Sequence, residues 1–157
     1  MPRLMRLVAV SAALFLVMPV ATVEATPPLD VSFEVQTSFI DGGPLSGGPF
    51  TASGPAVDAG LVCASGDTID NDLPQAAGYQ SERGANLLIV KHFSCTDGSG
   101  DVWIKLQVRL DARGDNFTWA IVDGTGAYER LRGTGSGMGV PTDYGVLDLY
   151  EGGVHID

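Results

Sequence analysis

The sequence predicts an all-β protein, a small antiparallel β-barrel of about eight strands. Three observations lead there. Beyond residue 25, apolar residues recur with a period of two and helical periodicity is absent. The 21 glycines and nine prolines punctuate the chain at short intervals. The β-patterned runs between them number about eight, enough to close on themselves and hide the edges that an open sheet exposes.

Ahead of the strands stand Arg3 and Arg6, an apolar stretch from Leu7 to Val20 broken only by Ser11 and Pro19, and Val23-Glu24-Ala25 before Thr26. This is the layout of a signal peptide, residues 1–25, cleaved after Ala25. The apolar run is shorter than the ~20 residues that span a bilayer. No cysteine lies near the cleavage point to carry a lipid. The expected product is a free, secreted or periplasmic chain, a single domain of residues 26–157 with 26–30 as a flexible leader.

Val31 to Ile40 opens the domain, with Val31, Phe33, Val35 and Phe39 alternating. The segment Asp41 to Gly54 is rich in Gly, Pro and Ser and reads as a long loop, with a weak β signal at Phe50 to Ala56. Gly60 to Thr68 places Cys63 on a short strand, and Gly78 to Glu82 gives a further weak signal. Asn86 to Cys95 is apolar on both faces for part of its length, which predicts a central strand. Val102 to Asp111 is the clearest strand: Val102, Ile104, Leu106, Val108 and Leu110 share one face, and Trp103, Lys105, Gln107 and Arg109 the other. After the turn Ala112-Arg113-Gly114-Asp115, Phe117, Trp119 and Ile121 form the matching row of a hairpin partner, Phe117 to Val122. Tyr128 to Leu131 and Gly145 to Tyr150 complete the set.

Both cysteines lie in the exported part, where oxidising conditions favour a Cys63–Cys95 bridge between two strands. Closing a loop of that length is worth roughly 4 kcal/mol against the unfolded chain. Removing residues 1–25 leaves seven basic and eighteen acidic residues, a net charge of −11. Such a surface repels phosphate backbones and anionic membranes, so neither nucleic acid nor, after cleavage, a membrane is an expected partner.

The run Trp119 to Gly135 is the most distinctive: a buried strand ending at Asp123, a tight turn permitted by Gly124 and Gly126, and a bend at Gly133 and Gly135. Gly124, Thr125, Gly126, Tyr128 and Gly133 together resemble the glycine motif of the allene oxide cyclase and dirigent superfamily. The chain is most similar to its uncharacterised exported bacterial branch, which couples this motif to a cysteine and an Asp-Gly-Ser-Gly turn, here Cys95 and Asp97 to Gly100. The resemblance covers roughly residues 60 to 154. It implies an eight-stranded antiparallel barrel, often trimeric in the plant members, that uses an apolar interior without any cofactor. The motif shapes the barrel, and none of the family's functional residues carries over to a position here.

Chemistry-bearing side chains are few. His92, with Glu34 on another strand, is the one conceivable acid–base pair. Two distant histidines and two paired cysteines make no zinc site. The runs Asp67 to Asp72 and Asp97 to Asp101 carry oxygen ligands without the spacing of a calcium loop, and turn formation accounts for them equally. Three functions follow as expectations. The first is a module binding an apolar small molecule in the barrel, lined by Phe117, Trp119 and Ile121. The second is a cofactor-free cyclase or isomerase using His92 and Glu34. The third is a surface-interaction protein, a homo-oligomer through Trp103 on its otherwise polar face.

Overall fold

The computed structural model describes residues 27–157 apart from 41, 43, 44, 82, 83, 112 and 113. Residues 1–25, read above as a signal peptide, and Arg113 lie outside these. The strands are β1 (Leu29–Phe39), β2 (Ser46–Ser53), β3 (Ser65–Asp70), β4 (Gln75–Ser81), β5 (Gly84–Cys95), β6 (Asp101–Asp111), β7 (Gly114–Gly124), β8 (Leu131–Thr142) and β9 (Gly145–Ile156). One helical turn, α1 (Pro55–Asp58), follows β2, and a 3₁₀ turn at Gly126–Tyr128 follows β7. All pairings are antiparallel, in the order β3-β2-β1-β9-β8-β7-β6-β5-β4, and a β3–β5 ladder closes eight strands into a barrel with β4 outside it.

β5 is the central strand the sequence predicts, because one of its edges serves two partners. Lys91 to Cys95 pair with β3 and Gly84 to Leu88 with β4. Both partners run antiparallel to β5, so β4 continues the line of β3 after a break at residues 71–74. The β6–β7 hairpin forms in the expected register, with Ile104, Leu106 and Val108 opposite Ile121, Trp119 and Phe117. All six of these side chains are buried.

Several boundaries differ from the sequence reading. The expected loop before Gly54 contains β2, and the residues after it form α1. Cys63 lies in the coil ahead of β3 rather than on a strand, so the Cys63–Cys95 bridge ties that coil to the end of β5, with a Cα separation of 6.0 Å. Tyr128 belongs to the 3₁₀ turn, and the strand that follows, β8, runs on through a glycine-rich stretch that carries no apolar alternation.

The reason lies in β7. Asp115, Phe117 and Trp119 face Gly139, Gly137 and Gly135 of β8 in register. A methyl group at Gly135 would stand 2.6 Å from the Trp119 indole, and one at Gly137 or Gly139 would overlap Phe117 or the Asp115 carboxylate. β8 therefore gives its interior to the side chains of its neighbour. The Trp119 Nε1–H reaches past the glycines to donate to the Ser136 and Glu151 carbonyls, both at 3.2 Å. Tyr150, fully buried on β9, completes an aromatic layer with Phe33, Phe93, Phe117 and Trp119, its ring 4.7 Å from that of Phe117.

One end of the barrel is shut. Ala56 of α1, Val62, Cys63, Tyr128 and Leu131 are buried there, and the Tyr128 hydroxyl meets Ser99 Oγ of the Asp97 to Gly100 turn. In the motif Gly124 to Gly133, Gly126 has φ +59° and lies against the Ser99 carbonyl, which a side chain would displace. The space left at this end is only about 10 Å³, room for a single water.

The glycine track is directly testable. Gly137→Ala should lower stability by about 1–3 kcal/mol through overpacking against Phe117, read as a fall of several degrees in Tm. Ser136→Ala, on the outward face of β8, should leave Tm unchanged.

Candidate functional site

The other end of the barrel is open and leads into a cavity of about 260 Å³. Its apolar wall comes from the inward rows of β5, β6 and β7: Leu87 and Ile89, Leu106 and Val108, and Phe117. Val146 of β9 and Phe39 at the end of β1 stand at the rim, where Phe39 is 72% exposed. The polar groups bordering the same space are Thr37 on β1, Ser46 on β2, Asp70 on β3, Lys91 on β5, Asp115 on β7 and Asp148 on β9.

Strand pairing accounts for this placement. Asp70 and Lys91 are directly opposed in the β3–β5 ladder. Both turn inward, and Lys91 Nζ stands 2.8 Å from Asp70 Oδ1 with side chains 3% and 1% exposed. The second Asp70 oxygen accepts from both the backbone N–H and the hydroxyl of Ser46, each at 2.8 Å. A buried ion pair costs more in desolvation than its attraction returns unless such extra hydrogen bonds exist, and here Ser46 supplies them.

Asp115 and Asp148 have no cation of their own. They flank Gly139 in register, two strand spacings or about 10 Å apart, with no side chain between them. Burial pushes the Asp148 carboxyl up to about 6; the hydrogen bond from Thr37 (2.6 Å) and the charge of Lys91 oppose the rise, and the charges of Asp115 and Asp70 add to it. Burial likewise raises Asp115, against the Gly139 backbone, and its Oδ1 is shielded from solvent without a hydrogen-bond partner. One layer deeper, the Tyr150 hydroxyl is also buried and unpartnered. Burial, then the charges of Asp148, Asp70 and Asp115, hold it well above the ordinary phenol value.

The residues singled out from the sequence are divided by the barrel wall. Phe117 lines the cavity, whereas Trp119 is packed within the aromatic layer and Ile121 borders the small space at the closed end. His92 and Glu34 face outward, on strands separated by β2 and β3, and the structure does not bring them together. The His92 ring stacks on Trp103 at 4.6 Å, with Asp101 Oδ2 at 3.6 Å. Trp103 is half-buried in this stack, its Nε1 3.4 Å from Asn71 Oδ1. In the acidic runs, Asp67 and Asp70 point to opposite faces, and Asp97 accepts both the backbone and side-chain bonds of Ser99, which hold its carboxyl below the ordinary range. Among the described residues no three His, Cys, Asp or Glu side chains form a metal cluster.

Lys91, Asp115 and Asp148 were not singled out from the sequence, and Asp70 only within the run Asp67 to Asp72, although a signal existed. Each inward charge except Asp70 sits two residues mouthward of a core aromatic: Lys91 before Phe93, Asp115 before Phe117, Asp148 before Tyr150. Period-two parity puts them on the interior face. Asp115 was hidden in the Arg-Gly-Asp turn reading, yet it is the second residue of β7.

Comparison of the chain with protein-family models, with curated proteins and with solved structures finds no match.

Two outcomes follow for stability. Lys91→Met leaves Asp70 buried without its cation and should cost about 3–5 kcal/mol in urea denaturation, much of it regained in Lys91→Met combined with Asp70→Leu. For Asp148, the folded-state value of about 6 exceeds the ordinary aspartate value of 3.8, so the folded chain binds the extra proton between these limits. Stability contributed by the protonated form is present below pH 3.8 and is lost as pH rises through about 6. Asp148→Asn should therefore flatten Tm against pH in this window and raise stability at pH 7 by on the order of 2–3 kcal/mol.

Proposed function

We propose that this chain, exported and cleaved after residue 25, is a non-catalytic binding protein that takes a small, largely apolar molecule into the open end of its barrel. The observation that carries this reading is the contrast between the two ends: the interior is filled to about 10 Å³ at one, while an apolar-walled cavity of about 260 Å³ is left at the other. That size falls near the lower bound of pockets that hold small molecules. An exposed aromatic at the rim suits a ligand that arrives from an apolar phase. The Cys63–Cys95 bridge is compatible with an extracellular or periplasmic setting. The resemblance to the allene oxide cyclase and dirigent superfamily implies the same use of a barrel interior. Binding is preferred to the cyclase reading because His92 and Glu34, the acid–base pair on which that reading drew, stand outside the barrel.

The test is calorimetric titration of the mature chain with 1-octanol, alongside Tm in the same additive. Saturable uptake with one site and a rise in Tm is expected. Val146→Trp, which fills the mouth from the partly buried rim, should abolish uptake while preserving the fold. No heat and no Tm shift at millimolar octanol would overturn the proposal.

A further inference from the structure

We propose that the barrel mouth selects molecules whose apolar body ends in a protonated amine, and discriminates against carboxylates of the same length. The inference rests on the binding reading above and names the chemical class that the site prefers.

It starts from the charge balance of the cavity. Three carboxylates, Asp70, Asp115 and Asp148, and one ammonium, Lys91, border it. Lys91 and Asp70 neutralise each other at 2.8 Å, and Ser46 fills the other Asp70 oxygen. Asp115 and Asp148 are left over. They come from β7 and β9, face each other across the bare backbone of Gly139, and hold two formal negative charges when ionised. Asp148 has one neutral donor, the Thr37 hydroxyl, and Asp115 has the Gly139 backbone N–H, with its Oδ1 left without a partner. Shielded polar atoms without partners are uncommon and unfavourable in folded proteins.

A second observation is independent of the carboxylates. The Tyr150 hydroxyl, on a side chain with no solvent exposure, also lacks a partner and lies in the next layer beneath Asp148, within reach of the charges of all three aspartates. Two carboxylates and an apolar wall thus border one cavity, with the unpartnered Tyr150 hydroxyl buried beneath Asp148. A primary ammonium carries three donors and no acceptor, which matches the oxygens of Asp115 and Asp148 while its chain lies along Leu106, Val108 and Phe117. An anionic head would meet uncompensated carboxylates. A metal ion is a poorer match, because the carboxylates do not stand together as a ligand set.

The effect should depend on pH through the same groups. The charged or titratable side chains facing Asp148 are Asp70 on β3, Lys91 on β5, Asp115 on β7 and Tyr150 on β9. As pH falls below about 6, Asp148 takes up a proton and the cavity loses part of its negative charge.

The experiment compares n-octylamine, 1-octanol and octanoate by calorimetry on the mature chain at pH 7, with the amine and alcohol repeated at pH 5. Octylamine should bind about tenfold more tightly than octanol, and octanoate more weakly than both. The amine-to-alcohol ratio should shrink at pH 5. Asp148→Asn should reduce that ratio at pH 7 and remove its pH dependence, and Asp115→Asn should reduce the ratio in its own right. The wild-type comparison needs no variant, so a variant that fails to fold does not spoil the test. If octanol binds and octylamine binds no more tightly than octanol or octanoate, the selectivity is overturned and the binding function stands. If none of the three binds, the binding function itself fails.

Discussion

The structure depends on one steric exchange, in which β7 fills the barrel and β8 makes room for it. Phe117 and Trp119 lie over Gly137 and Gly135, and the Trp119 indole extends as far as Gly152 of β9. A barrel of eight strands has an interior just wide enough for side chains or one small ligand. With bulky residues on both of these strands, Tyr150 could not reach Phe33, Phe93 and Phe117 to form the aromatic layer. The same exchange continues to the mouth, where Gly139 leaves Asp115 and Asp148 facing each other with nothing between them. Core and site are thus built by one device.

Along the barrel axis the environment changes in steps. At the closed end a disulfide, α1 and Tyr128 leave almost no free volume. Aromatic rings fill the middle. At the mouth a buried ion pair and two unpaired carboxylates border an apolar wall. Stability and polarity therefore run in opposite directions: the well-packed end holds the fold, and the mouth carries groups that a purely structural core would not retain, since carboxylates withdrawn from water without a cation are destabilising.

The barrel was legible where side chains alternate. The β6–β7 hairpin and its register follow from Val102 to Leu110 and Phe117 to Ile121, because one face of each strand is apolar and the other is not. β8 was illegible for the reason that it works: glycine at 133, 135, 137 and 139 has no hydropathy to alternate, so the strand reads as a bend. β2 was concealed in the same way by Gly47, Gly48 and Pro49. The mouth was missed because inward-pointing charges break the apolar pattern that marks an inward face. His92 drew notice as a residue type, yet its neighbours Lys91 and Phe93 hold the interior positions, which parity assigns to them and denies to it.

The shared edge of β5 has a further consequence. The hydrogen bonds that close the barrel, between residues 66–70 and 91–95, are separate from those that attach β4 to residues 84–88, with a four-residue break between the two partners. β4 can thus peel from the sheet as a local event without unzipping the closure. The Asp70–Lys91 pair stands near the end of the closing ladder, and one further backbone bond, from Asn71 N–H to the Val90 carbonyl at 2.8 Å, follows it. Even without β4, the wall bearing Leu87 and Ile89 keeps its other edge, since β5 stays paired to β6 from Gly84 to Ser94.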